Sequence, residues 1–178
     1  MERRRNQDKK IRVSRLLLTA LALCLSLVSL AQIPTDSLPK DPALISVYAV
    51  QNLNFGTIYQ GNAGGTVSVS ATGSRSVTGD VVAITQGSAV YPAIFEVEAP
   101  AGTIVTIQNG ADVSLSGSNG GSMTLRLGAS YPASPFTTTV TPPSRTQVSI
   151  GGTLTVGNTA ASKAGNYSGT FNIIFFQQ

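Results

Sequence analysis

The residue types that most often carry enzyme chemistry are scarce in this sequence. Its 178 residues contain no His and a single Cys, Cys24. A Ser-His-Asp arrangement needs the imidazole as its base, so it cannot form here. The usual zinc and copper sites, which are built from His and Cys ligands, are excluded for the same reason. The sequence predicts no catalytic residue, no metal site and no bound cofactor.

Two acidic side chains stand close together, Glu96 and Glu98. A glycosidase uses two carboxyl groups that flank the substrate from different directions. Residues two apart on a strand lie side by side on one face, which favours a solvated strand face instead. Lys163 would suit the role of base for a serine nucleophile, but nothing in the sequence places a serine beside it. A hydrolase is the least favoured function, and a cleft lined jointly by Glu96, Glu98 and Lys163 would revive it.

Two further sequence patterns resemble ligand-binding sites, but neither matches the requirements of its ligand. The turn Asn109-Gly110-Ala111-Asp112 offers oxygen atoms, but calcium takes about six to eight of them, so an Asx turn is favoured. The glycine pairs at 64–65 and 151–152 are not followed by a Lys or a helix, so they do not predict a phosphate cradle.

The amino terminus has the three parts of a secretory signal peptide. Seven of the twelve basic residues lie within Met1–Arg15, an apolar run covers Leu16–Leu30, and small residues precede Gln32. The run is short for a membrane span, which needs about 20 apolar residues. We predict cleavage after Ala31 and export to the periplasm, cell surface or medium, with an uncleaved signal anchor as the alternative. The mature chain is expected to contain no stable membrane span.

Removing that segment changes the charge of the protein. From residue 32 onward there are five basic and six acidic side chains, a net charge of −1, although the whole chain carries +4. Nucleic-acid binding needs a basic surface that neutralises phosphates. The mature chain lacks one, so nucleic acid is not a predicted partner.

Period-two alternation of apolar residues recurs from residue 44 to the end and predicts an all-β, Ig-like antiparallel β-sandwich over 44–178. Residues 32–43, with three prolines, are predicted to be a tail or linker. The Gly151–Gly152 pair is predicted to turn a hairpin. The predicted strands are Leu44–Val50, Leu53–Tyr59, Thr66–Ala71, Asp80–Thr85, Ala93–Glu98, Thr103–Gln108, Val113–Ser116, Ser122–Gly128, Thr146–Ile150, Thr153–Val156 and Tyr167–Phe176.

The longest irregular stretch, Tyr131–Ser144, contains four prolines around Phe136. Loops on rigid scaffolds often carry binding residues, so Tyr131 and Phe136 are candidate aromatic anchors for a glycan or a protein. An ordinary long loop is the alternative and is modestly favoured.

Several motifs in order resemble one bacterial family of secreted domains, the domain-of-unknown-function 4402 family. They include Leu53-Asn54-Phe55-Gly56 and the closing Gly165-Asn166-Tyr167-Ser168-Gly169-Thr170-Phe171, and the resemblance runs from about Leu44 to Phe176. It implies an exported Ig-like domain of unassigned activity in envelope and surface contexts. A more distant resemblance to chaperone–usher pilins and spore-coat-U-like domains rests on the alternating strand after Gly169. The usual pilin cysteine pair is missing, and the proline-rich tail is a poor donor strand.

The leading hypothesis is therefore a structural or adhesive envelope protein, in the manner of a fimbrial subunit, without enzyme activity. It would associate with itself or another surface protein by strand addition, at the edges Leu44–Val50 and Tyr167–Phe176. The alternative is a carbohydrate- or protein-binding module that uses Tyr131–Ser144.

Overall fold

A computed structural model describes residues 44–87 and 89–178 of the chain. The predicted signal peptide, 1–31, and tail, 32–43, lie outside the described residues. The described residues form strands, turns and bends without a helix, so the all-β prediction is confirmed. Their strands are β1 Ser46–Gln51, β2 Ile58–Val69, β3 Arg75–Ala83, β4 Ala93–Glu98, β5 Ile104–Asn109, β6 Val113–Gly117, β7 Ser122–Tyr131, β8 Phe136–Thr137, β9 Thr146–Val156, β10 Tyr167–Ser168 and β11 Ile173–Gln177.

Strand β9 is the centre of an eight-stranded sheet whose path runs β1-β4-β9-β7-β6-β10. Along one side of β9 lies β7; along the other side, β4 pairs with 146–150 and β2 pairs with 152–156. All these pairs are antiparallel. A second sheet of three strands has the order β11-β5-β8. The prediction of an antiparallel, all-β fold with two sheets is confirmed. The large sheet is curled, however, so the two sheets do not form two clearly stacked layers.

The predicted hairpin at Gly151–Gly152 is wrong, because β9 passes straight through both glycines. Both are buried in the middle of the strand. A Cβ at Gly151 would collide with the carbonyl oxygen of Val69, and one at Gly152 would lie 2.9 Å from Leu53 Cδ2. These glycines therefore permit close packing between β9 and its neighbours. The sequence has a further Gly-Gly pair at 120–121, and this one does lie in a turn, between β6 and β7.

The predicted closing strand Tyr167–Phe176 is divided in the structure. Tyr167–Ser168 pairs with β6 in the large sheet, whereas Ile173–Gln177 pairs with β5 in the small sheet. Residues 169–172 cross from one sheet to the other. A Cβ at Gly169 would come within 2.6 Å of Leu115 Cδ2, so the backbone begins its crossing directly over that side chain.

Two other predicted strands differ from the structure. Residues 52–57 form an irregular segment with one isolated bridge, between Asn54 and Tyr91, before β2 begins. Strand β1 begins two residues later than predicted, at Ser46, and lies at the edge of the large sheet with most of its side chains exposed. Because residues 52–57 form one isolated bridge and no ladder, they do not extend β2, and they lie over the large sheet instead.

The apolar interior has two clusters, which we call the closed half and the open half. In the closed half the small sheet covers β4 and the first part of β9, and its buried members are Val97, Ala99, Val105, Phe136, Val148 and Ile150. The open half lies against β2, β6, β7 and the second part of β9, and its buried members are Phe55, Val67, Val69, Val81, Leu115, Met123, Leu125, Leu154 and Val156.

Candidate functional site

Strand β11 ends the small sheet and has one free side. The amide of Gly110 donates to the carbonyl of Asn172, and the amide of Gln178 donates to the carbonyl of Ile104. Hydrogen-bonded residues alternate in an antiparallel pair, so even-numbered residues from 172 to 178 face β5. The N–H and C=O groups of Ile173, Phe175 and Gln177 therefore point away from β5, toward the open edge. The prediction that both chain-terminal strands lie at edges is confirmed for β1, β10 and β11.

An open groove of about 1430 Å³ lies where the small sheet stops covering the large one. Its floor consists of apolar side chains from four strands of the large sheet. These floor residues are Phe95, Leu115, Met123, Leu125 and Leu154. Phe95 also contacts Phe175 of β11, with ring centroids 5.5 Å apart. The groove therefore adjoins the open edge of β11 and the apolar interior.

The first wall of the groove is the segment 51–60. Arg75 holds it in place, because its guanidinium donates to the carbonyls of Phe55 and Thr57, and also to that of Ile84. Asn54 adds two backbone hydrogen bonds to Tyr91. The backbone polar groups of an irregular segment have no partners in a neighbouring strand. Here the side chain of Arg75 donates hydrogen bonds to two of those carbonyl groups.

The second wall, 159–173, is fixed to the turn between β6 and β7. Ser162 is fully buried; its hydroxyl donates to Ser122 O at 2.7 Å and accepts from Gly157 N at 3.0 Å. The Tyr167 hydroxyl donates to Lys163 O at 2.6 Å. Asn119 Nδ2 donates to Ala164 O at 2.8 Å. These bonds hold the backbone of the wall firmly although most of its residues are exposed.

Sequence reasoning missed this groove. Alternation along one strand indicates which side chains share a face, but it does not say whether anything covers that face. One signal existed: residues 157–166 have no regular alternation that would supply a covering strand.

The predicted carboxylate pair lies elsewhere. Glu96 and Glu98 do not line the groove, and both bind Arg145 at 3.0 and 3.1 Å. The guanidinium also lies 3.8 Å from the ring centroid of Tyr48, and hydrogen bonds to Glu96 and then Glu98 raise the pKa of Arg145. The structure does not bring these two carboxylates together with Lys163, so the arrangement that would have revived a hydrolase is not formed.

The turn after β5 is held by an ion pair. Arg126 donates to both carboxylate oxygens of Asp112, the shortest bond being 2.8 Å, and this hydrogen bonding lowers the pKa of Asp112. Asn109 Nδ2 donates to Gly128 O instead of offering an oxygen to the turn. Among the residues the structure describes, no cluster of three His, Cys, Asp or Glu side chains is placed to hold a metal ion.

The two predicted binding-loop aromatics have different environments. Phe136 is 8% exposed and belongs to the closed half, so it anchors the loop to the interior and is not available to a ligand. Tyr131, at the end of β7, is 67% exposed. The hypothesis of a paired aromatic anchor is corrected accordingly, because only one of the two rings reaches solvent.

The fold and groove define an all-β domain of two antiparallel sheets with one open strand edge beside an apolar groove. Residues 45–175 match the family model described as Domain of unknown function (DUF4402). The chain belongs to this family, as the motifs predicted. No curated protein and no solved structure matches the chain. In the described part of the chain, no helix is long and apolar enough to cross a membrane.

Proposed function

We propose that this domain is a structural or adhesive subunit of an exported envelope or surface assembly, and that it acts by accepting an extended segment from a partner. The segment adds to the open edge of β11 and lays alternate side chains into the groove. One observation carries the proposal: the unpaired edge of β11 borders a groove whose floor is made of interior side chains. No catalytic step is part of this function.

The size of the groove supports a peptide segment over a small molecule. Sites for small ligands usually enclose about 300–1,000 Å³. The groove measures about 1430 Å³ and is partly open to solvent. The added segment would form a strand of about five or six residues, which is the usual strand length in sheets.

The outward backbone groups of β11 support the same mode of binding. Along the free edge of β11, every second residue presents one backbone N–H donor and one C=O acceptor. These residues are Ile173, Phe175 and Gln177. In strand addition, such main-chain groups supply affinity and the pockets for alternate side chains supply specificity. The apolar floor is suited to receive those side chains, since burying them removes apolar surface from water.

The first experiment tests assembly in native cells. Intact and fractionated cells are immunoblotted with samples boiled or left unboiled before the gel. A surface-located ladder that collapses to one band on boiling supports a non-covalent polymer of this subunit. A single monomer band in the periplasm or the medium contradicts polymerisation.

A matched pair of variants tests the groove itself. Ala49 and Val50 are neighbours on β1 and both are exposed, but Ala49 lines the groove and Val50 does not. Ala49→Arg places a long cation at the groove, so we expect it to abolish the ladder. Val50→Arg is expected to leave the ladder intact. Loss of assembly in Val50→Arg alone would show that the β1 edge, not the groove, makes the contact.

A second candidate is a glycan- or protein-binding loop, favoured by the exposure of Tyr131. An exposed aromatic side chain at the end of a rigid strand suits stacking against a ligand. A glycan array with the wild-type domain and with Tyr131→Ala tests it. Binding that the variant loses supports the loop, and no binding by the wild type removes the glycan hypothesis.

A further inference from the structure

The groove carries one kind of charge. Among the described residues that line it, Lys163 is the single side chain of the Asp, Glu, Lys and Arg types, so none of those residues is a carboxylate. Its walls otherwise present amide, hydroxyl and apolar groups. A bound segment therefore meets a positive group at one place and no negative side chain anywhere along the groove.

Lys163 differs from the other cations in the described residues. Arg126 and Arg145 pair with carboxylates, and Arg75 binds three backbone carbonyls. Within the described part of the chain, the ammonium of Lys163 takes part in none of the ion pairs or hydrogen bonds found there. Its charge is thus available to a partner.

The backbone that carries this charge is held in place by hydrogen bonds. The backbone of Lys163 is fixed by the bond from the Tyr167 hydroxyl and by the neighbouring buried Ser162. Its Nζ lies at the turn between β6 and β7, where a Cβ on Gly120 would be 3.9 Å away. That turn is at the opposite end of the floor from Phe95, because β4 and β6 are separated by β9 and β7 in the sheet.

We propose that Lys163 binds a carboxylate side chain of the inserted segment. The partner is then an extended segment of another chain with alternating apolar residues and an Asp or Glu at the end that reaches the β6–β7 turn. This inference rests on the proposed function of the groove. Charge complementarity supplies orientation and register, because only one placement brings the carboxylate to Lys163 while the apolar residues lie on the floor.

The predicted tail of this chain is a poor match for that description. Residues 32–43 contain Asp36 and Asp41, but three prolines and no alternation of apolar residues. Each proline lacks the N–H that an added strand donates. A synthetic peptide of residues 32–43 therefore serves as a negative probe.

The test uses fluorescent alternating Val-Thr peptides that carry Glu at the first or the last position, with matched Gln and Lys peptides. Binding to the folded mature domain is measured by anisotropy. We expect one Glu peptide to bind about three- to fivefold more tightly than its Gln match, and the Lys peptide more weakly. The advantage should shrink in about 0.5 M NaCl, where charges are screened within a few ångströms.

Two variants complete the design. Lys163→Gln should remove the preference for Glu, and Lys163→Glu should reverse it toward the Lys peptide. Arg126→Gln removes a cation outside the groove and should leave the preference unchanged. Equal binding of the Glu and Gln peptides by the wild type would overturn the role of Lys163 while leaving the groove as a strand acceptor. Binding of no Val-Thr peptide, or tighter binding of the 32–43 peptide, would overturn the proposed partner.

Discussion

The two halves of the interior share one strand, β9, but they are covered in different ways. In the closed half, three strands cover the sheet, and Val97, Val148 and Ile150 are 0% exposed. In the open half, two irregular walls stand apart over floor residues such as Leu154, at 5%, and Leu115, at 8%. The sequence of β9 is equally apolar on both sides of its glycines, so the difference lies in the cover. Under the proposed function, the closed half stabilises the domain and the open half binds the partner segment.

The largest expected effect distinguishes the two halves directly. Ile150→Ala should lower the free energy of unfolding by about 4 kcal/mol, because a fully enclosed cavity remains. Leu154→Ala should cost nearer 2 kcal/mol, since the space it leaves joins the open groove and does not form an enclosed cavity. Urea unfolding measures both, with exposed Ile174→Ala as a control expected within about 0.5 kcal/mol of wild type. Equal losses for Ile150 and Leu154 would contradict the distinction.

The junction between the halves is expected to be nearly as sensitive. Gly151→Ala should destabilise the domain by about 2–3 kcal/mol, because the new Cβ meets the backbone carbonyl of Val69 and cannot displace it easily. Gly128 lies across from it in β7, and a Cβ there would make ordinary contacts at 3.5 Å. Gly128→Ala is the matched control and should cost less than about 1 kcal/mol. Similar unfolding midpoints for the two variants would mean that the sheet adapts at the junction.

The second wall should respond more weakly. Ser162→Ala leaves the carbonyl of Ser122 and the amide of Gly157 without their hydroxyl partner, at a cost of about 1–2 kcal/mol. Hydrogen exchange should speed up in residues 157–168 while β4 and the first part of β9 keep their protection. Exposed Ser168→Ala is the control. Uniform loss of protection through both halves would show that the wall is part of one cooperative unit with the closed half.

The smallest effect is expected from the ion pair that lies outside both halves. The Arg126 hydrogen bond depresses the pKa of Asp112 in the folded state. Its contribution to stability is therefore present at pH 7 and is lost as the pH falls below the unfolded value of about 3.9 and through the folded value. Asp112→Asn and Arg126→Gln should each shift the urea midpoint slightly at pH 7, and neither should shift it near pH 2. A shift that persists at low pH would assign the effect to packing.

What the sequence could predict was local. Alternation placed β4 at its observed bounds and put Glu96 and Glu98 on the outer face, where they bind Arg145. Buried Val67 and Val69 were also placed correctly. These features depend on one strand and the two faces it presents.

What the sequence could not predict depends on a distant neighbour. Gly151–Gly152 has the composition of a turn, and only the carbonyl of Val69 across the sheet explains why it is a strand interior. The division of Tyr167–Phe176 depends on the place where Gly169 crosses Leu115. The candidate site is missed for the same reason, since the groove depends on how the distant segments 51–60 and 159–173 lie over the sheet.

The position of β9 late in the chain also determines when the large sheet can be completed. Its partners β2 and β4 are synthesised about 85 and 50 residues earlier. Until residue 156 has left the ribosome, those strands have no central partner, and the nascent chain cannot close its sheet. Closing it then requires contacts between distant parts of the chain, which slows folding. The large sheet therefore cannot be completed until most of the chain has been synthesised.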